Sequence, residues 1–129
     1  MGTTAFGQCE TEKYSNTLIE KIPDGFAFLK SYKIDGENGT KTRIEFPYIF
    51  SKDSNYFISM ANKQPELDGV VLTLYDANRN QVATNKDAST KKFYSGISYK
   101  CSSTGVYYLT FSFESTQDFC AAAVLGFKR

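Results

Sequence analysis

The chain has 129 residues, one domain's worth, and a chain of that length buries roughly two thirds of the surface its unfolded form exposes, so a core requires neither a metal nor a dense disulfide framework. Its 15 basic and 14 acidic residues leave a net charge of +1, with no basic run longer than the pair Lys91-Lys92, which excludes the electrostatic footprint of a nucleic-acid or anionic-membrane binder. Histidine is absent, so the commonest general base and the commonest zinc ligand are both missing, while 11 Phe and 9 Tyr point to pleated, half-buried sheet.

Residues 1–9 open the chain. Ala5-Phe6-Gly7 has the small-x-small form of a cleavage site that would leave Gln8 or Cys9 as a new N-terminus. The stretch is too short for a whole signal peptide, so it reads either as the remnant of a truncated export signal or as an ordinary disordered N-terminus. A single domain is expected over residues 10–129. No apolar run approaches the about 18 residues that would span a membrane. Residues 11–22 carry the one helical pattern, with Thr11 and Ser15 as candidate caps and a short apolar stripe of Tyr14, Leu18, Ile19 and Ile22. Pro23-Asp24-Gly25 ends it.

From there the chain reads as strands. Phe26, Phe28, Tyr32 and Ile34 share one face, with Lys30 breaking the alternation, before a loop at residues 35–39. Ile44, Phe46, Tyr48 and Phe50 then alternate cleanly, and Pro47 on the opposite parity marks an edge strand or a bulge. A turn at residues 51–55 leads to Tyr56, Ile58 and Met60 on one face. A polar loop over 61–69, closing at Asp68-Gly69, precedes Val70 to Tyr75, the most apolar strand. Asp76 to Asn80 turns tightly into Gln81 to Thr84. After the polar stretch 85–92, Phe93 to Cys101 presents Ile97, Tyr99 and Cys101 on one side. Val106 to Phe113 points Tyr107, Leu109, Phe111 and Phe113 inward, a turn runs from Glu114 to Asp118, and Phe119 to Phe127 closes the chain. About eight short strands with regular turn signals predict an all-β, antiparallel β-sandwich, jelly-roll or immunoglobulin-like, with a short N-terminal helix.

Between residues 43 and 113 the order of short motifs is distinctive: Tyr56-Phe57-Ile58, Leu74-Tyr75-Asp76, and Thr104-Gly105-Val106-Tyr107-Tyr108-Leu109. This stretch resembles the bacterial pre-peptidase C-terminal domain, whose pattern is a Tyr-x-Ile strand, a Leu-Tyr-Asp strand and a late Thr/Ser-Gly-x-Tyr-Tyr-Leu strand. The resemblance implies an exported, all-β, non-catalytic domain that assists export, solubility or substrate attachment. Some relatives bind calcium or matrix polymers. Members usually sit at the end of a secreted enzyme, and no enzyme accompanies the β pattern here.

Few residues carry chemistry. Asp76, Asn78 and Asn80, with Asp87 at the twelfth position, have the alternate-oxygen spacing calcium takes, but Gln81 stands where an EF-hand loop needs glycine. A turn in which Asp76 and Asn78 bond their own backbone is the competing reading. Glu114 and Asp118 flank a turn and are expected to solvate it. Cys101 or Cys120 lacks a histidine base, so catalysis is not expected.

No CxxC pair exists among Cys9, Cys101 and Cys120. If strands 93–101, 105–114 and 119–127 form a meander, Cys101 and Cys120 lie at opposite ends of its middle strand, about 23 Å apart at about 3.3 Å per residue. A disulfide needs Cα atoms within about 7 Å. That leaves Cys9 bridged to either Cys101 or Cys120 with one buried thiol over, or three free thiols. Phe57, Tyr75 and Tyr108 lie on the outward parity of their strands, where they form either an aromatic platform for sugar rings or a partner protein, or the seat of the 11–22 helix. The expected function is a secreted or periplasmic, non-catalytic binding or accessory module for polysaccharide or another extracytoplasmic protein. The alternatives are a subunit that pairs through an exposed strand edge and, last, a small hydrolase.

Overall fold

The computed structural model describes residues 9, 11–63, 69–114 and 119–129. The export-signal reading of residues 1–8 and the Asp68 and Asp118 ends of two expected turns lie outside the described residues. Helix α1 spans Glu12–Glu20; the strands are β1 Ala27–Asp35, β2 Arg43–Phe50, β3 Asn55–Ala61, β4 Val70–Tyr75, β5 Gln81–Thr84, β6 Gly96–Lys100, β7 Gly105–Phe113 and β8 Cys120–Lys128. Thr11 occupies the position before α1 but gives no side-chain cap; its carbonyl accepts from Ser15 N at 3.0 Å. Gly25, at φ +89°, takes the left-handed conformation that turns the chain from α1 into β1.

The strands form two four-stranded sheets, ordered β1-β8-β3-β6 and β2-β7-β4-β5, with every neighbouring pair antiparallel. Only β4 and β5 are both consecutive and paired; every other connection crosses between sheets. That is the order of a jelly roll rather than an immunoglobulin-like sandwich. The expected meander of the last three strands is therefore replaced. β6 and β8 flank β3 in one sheet, and β7 lies between β2 and β4 in the other. The turn after Cys101 carries the chain across the roughly 10 Å between sheets instead of folding it back beside itself.

Parity holds on most strands. Tyr56, Ile58 and Met60 of β3, Leu72 and Leu74 of β4, and Tyr107, Leu109 and Phe111 of β7 meet in one core. Pro47 lies on β2, an edge strand, where its missing N–H is tolerated. β1 differs from expectation because its register slips between Phe28 and Lys30. The extra residue turns Leu29 toward the core and leaves Phe28 on the surface, which accounts for the break at Lys30. β6 begins at Gly96, three residues later than the sequence pattern suggests; Phe93 makes only an isolated bridge with Lys86. Phe50 is wedged between Tyr56 and Tyr107, with ring centroids 3.8 Å and 4.9 Å away, and so ties β2, β3 and β7 together.

β8 is apolar along nearly its whole length because both its faces are covered. Ala121, Ala123 and Leu125 face the sandwich core, while Ala122 and Val124 meet Leu18 of α1, flanked by Tyr14, Ile19 and Ile22. The helix thus lies on the outer face of the β1-β8-β3-β6 sheet, hereafter the covered sheet. The β2-β7-β4-β5 sheet has no helix against it among the described residues and is the open sheet. Cys9 is bonded to Cys120 with Cα atoms 5.4 Å apart, which pins the chain ahead of α1 to the start of β8. Cys101 is a free, fully buried thiol.

One polar side chain is buried completely in this apolar setting. Asn85, just past β5, accepts from Leu72 N at 2.7 Å and donates to Val70 O at 2.8 Å and Tyr94 O at 3.0 Å. It continues the β4 ladder where β5 has ended, and it holds the 85–95 segment as that segment leaves the open sheet for β6. Removing a buried partner strands each group it satisfied, at about 1–3 kcal/mol apiece. Asn85→Ala should therefore cost about 2–4 kcal/mol in denaturant unfolding; a change below about 0.5 kcal/mol would show that the bonds are dispensable. Alkylation should label one cysteine, Cys101, in the denatured unreduced protein and three after reduction.

Candidate functional site

The outer face of the open sheet gathers half-buried tyrosines and a set of hydrogen-bonded polar side chains. Register sets it in rows: Glu45, Thr110 and Thr73 lie opposite one another, and Pro47, Tyr108 and Tyr75 form the next row. Tyr75 and Tyr108 are thus direct cross-strand neighbours, as their outward parity anticipates. The β4–β5 turn brings in a third element. Asp76 Oδ1 accepts from the N–H groups of both Asn78 and Asn80 at 2.9 Å, and Arg79 takes φ +65°. This geometry sends the Arg79 side chain back over the sheet.

Arg79 reaches over the face, its guanidinium carbon 3.8 Å from the centroid of Tyr108. It also grips Glu45 with two bonds, Nη1 to Oε1 at 2.6 Å and Nη2 to Oε2 at 3.1 Å. Thr110 Oγ1 donates to the same Oε1 at 3.1 Å, and Arg43 Nη2 reaches it at 3.4 Å. Arg43 extends over the Tyr75 ring, 5.9 Å from its centroid. The arrangement gathers two guanidinium groups and a hydroxyl around one carboxylate, above two aromatic rings. The hydrogen bond from Arg79 holds the Glu45 carboxyl below its ordinary range, against the opposing effect of burial and with further help from Thr110 and Arg43.

The structure divides the three aromatic residues expected to form one platform. Tyr75 and Tyr108 adjoin each other, but Phe57 lies across the sandwich on the covered sheet. Its ring stands 5.9 Å from Phe26 and presses on Gly96, where an added Cβ would approach it to 3.0 Å. Phe57 lines a shallow groove with Leu18, Lys21 and Tyr94 beside α1, on the sheet face that the helix covers.

The calcium candidates do not converge either. Asp76, Asn78 and Asn80 form the backbone-bonded turn, whereas Asp87 lies beyond the far end of β5, about 13 Å of strand away at about 3.3 Å per residue. There its Oδ1 accepts from Ser89 N, Ser89 Oγ and Thr90 N in a turn of its own, bonds that hold its carboxyl below the ordinary range. Among the described residues, Cys9, Asp35 and Cys120 cluster closely enough to suggest metal ligation, but the two sulfurs are bonded to each other. The Cys101 thiol donates to Ser103 O at 3.2 Å and lies 3.5 Å from Tyr107 Oη, closed off from solvent. The Tyr107 phenol is pushed up by burial and by its bonds with Cys101 and Tyr99.

Arg43, Glu45 and Arg79 are the site residues that sequence reasoning misses. The first two carry a visible signal, since they share the outward parity of β2 with Pro47. Arg79 carries none, because its reach depends on a left-handed turn residue. No protein-family model matches the chain, and no curated protein matches it in sequence.

A carboxyl held below its ordinary value lends stability above that value, about 4.3, and loses it as pH falls through the lower folded value. A side-chain carbon titration followed by NMR should place the Glu45 midpoint below that of a free glutamate. Arg79→Ala should move it upward. An ordinary midpoint in the unaltered protein would contradict the paired geometry.

Proposed function

We propose that this domain is an exported, non-catalytic binding module that holds a carbohydrate on the outer face of the open sheet. The observation that carries the reading is the adjoining pair Tyr75 and Tyr108, set on a sheet face with no helix over it among the described residues and surrounded by the forked donors of Arg43 and Arg79 and the carboxylate of Glu45. Sugar rings offer an apolar face that packs on aromatic rings and vicinal hydroxyls that match paired donors and acceptors. Export is supported by the Cys9–Cys120 bridge, a bond that persists in oxidising compartments, and by the likeness of residues 43–113 to pre-peptidase C-terminal domains.

Pairing through a strand edge is the weaker alternative, because every edge is blunted. β1 carries a bulge together with Lys30 and Lys33, β2 carries Pro47, and β5 and β6 have only 4 and 5 residues.

The test is a screen of neutral and acidic polysaccharides by glycan array and affinity electrophoresis, followed by calorimetry on any hit. Tyr75→Ala and Tyr108→Ala should each weaken binding at least about tenfold, as loss of a ring contact of about 1.4 kcal/mol implies. Retention of no polysaccharide by the intact protein, or equal retention by both variants, would overturn the proposal.

A further inference from the structure

The charges on the open face are unevenly paired, and the unevenness has a location. Within β2, β7, β4 and β5 the only acidic residue is Glu45 and the only basic residue is Arg43; Arg79 joins them from the turn. One carboxylate therefore serves two guanidinium groups. The nearest other acid in the chain's course, Asp76, keeps its charge but turns Oδ1 to the amides of its own turn rather than to a guanidinium.

The two arginines share Glu45 unequally. Arg79 takes both oxygens at 2.6 Å and 3.1 Å, whereas Arg43 is a third donor on an oxygen that already accepts from Arg79 and Thr110 at shorter range. Arg43 is also 59% exposed at its side chain and rests over the Tyr75 ring. Its guanidinium has five N–H donors, and one long bond uses one of them. It is held in place by Glu45 and Tyr75 without being neutralised.

We infer that the carbohydrate taken by this face is acidic, with a sugar carboxylate bound by Arg43 where that side chain lies over Tyr75. The site already shows how it holds a carboxylate, since Glu45 receives the fork of Arg79 while that guanidinium lies over Tyr108. A uronate over Tyr75 would repeat that arrangement one aromatic ring away, with Arg43 as the fork. A neutral sugar would offer the spare donors of Arg43 only uncharged acceptors. This inference rests on the carbohydrate reading above and specifies its ligand.

The experiment compares polygalacturonate and alginate with their carboxyl-reduced counterparts, by calorimetry at low and moderate salt. The acidic polymers should bind at least about tenfold more tightly than the reduced ones, as expected for a charge-assisted bond, and the difference should shrink as salt rises. Arg43→Gln should abolish the preference. Lys100→Gln, on β6 at the far side of the sandwich, should leave binding unchanged. Equal affinity for acidic and reduced polymers would overturn the inference and leave the carbohydrate reading standing. An equal loss in Arg43→Gln and Lys100→Gln would also overturn it, as diffuse polyanion attraction. Binding of neither polymer would overturn the inference, and the wider screen above then decides the carbohydrate reading separately.

Discussion

The two-sided burial of β8 is the constraint on which the rest of the molecule depends. A central strand with apolar residues on both faces needs two partners. The sandwich core supplies one, and α1 supplies the other by setting Leu18 against Ala122 and Val124. The small alanines at 121–123 let both layers approach closely, and Gly126, where an added Cβ would come within 3.1 Å of Ala27 O, lets β1 close in beside the bulge. Because the helix is spent on this sheet, the other keeps its outer face. The asymmetry between a covered and an open sheet follows from the sequence of one strand.

The open face is organised by a carboxylate rather than by its aromatic rings. Tyrosines on a sheet present flat apolar area, but here each has an arginine above it, and both arginines reach Glu45. Exposed ion pairs contribute little to stability. Their value in this position is geometric: Glu45 and the rings hold two flexible side chains over the sheet, so less conformational freedom remains to be lost when a ligand arrives. Glu45 is thus better described as the element that shapes the face than as one that stabilises the fold.

Much of the fold was legible in the sequence because period-2 alternation is a strong local signal. β2, β3 and β7 carry it without interruption, and the inward rows named from parity are the ones that meet in the core. Strand order was not legible, because alternation states which face is buried and not which neighbour buries it. Hence a meander fits residues 93–127 by pattern, although those strands belong to alternate sheets. The bulge at Leu29 left a trace in the misplaced Lys30, but a trace without a unique cause. The site was half legible. Tyr75 and Tyr108 share a parity and, in the observed order, a row; Phe57 shares only the parity. The oxygen-rich turn at residues 76–80 attracted a metal reading, whereas its backbone conformation, which aims Arg79, is invisible to composition and spacing.

The buried Cys101 thiol has a consequence for how the native bridge is reached. Cys9 and Cys120 are 111 residues apart, and Cys120 belongs to the last strand, so their pairing waits on nearly the whole chain. Throughout that interval Cys101 is a rival, nearer to Cys9 in sequence and chemically equivalent while it is accessible. Its confinement beneath Ser103 and Tyr107, at the junction of β6 and β7, withdraws it from thiol exchange once those strands dock. The core thereby acts as the proofreader of an odd-cysteine chain, selecting the correct sulfur by occlusion and not by reactivity.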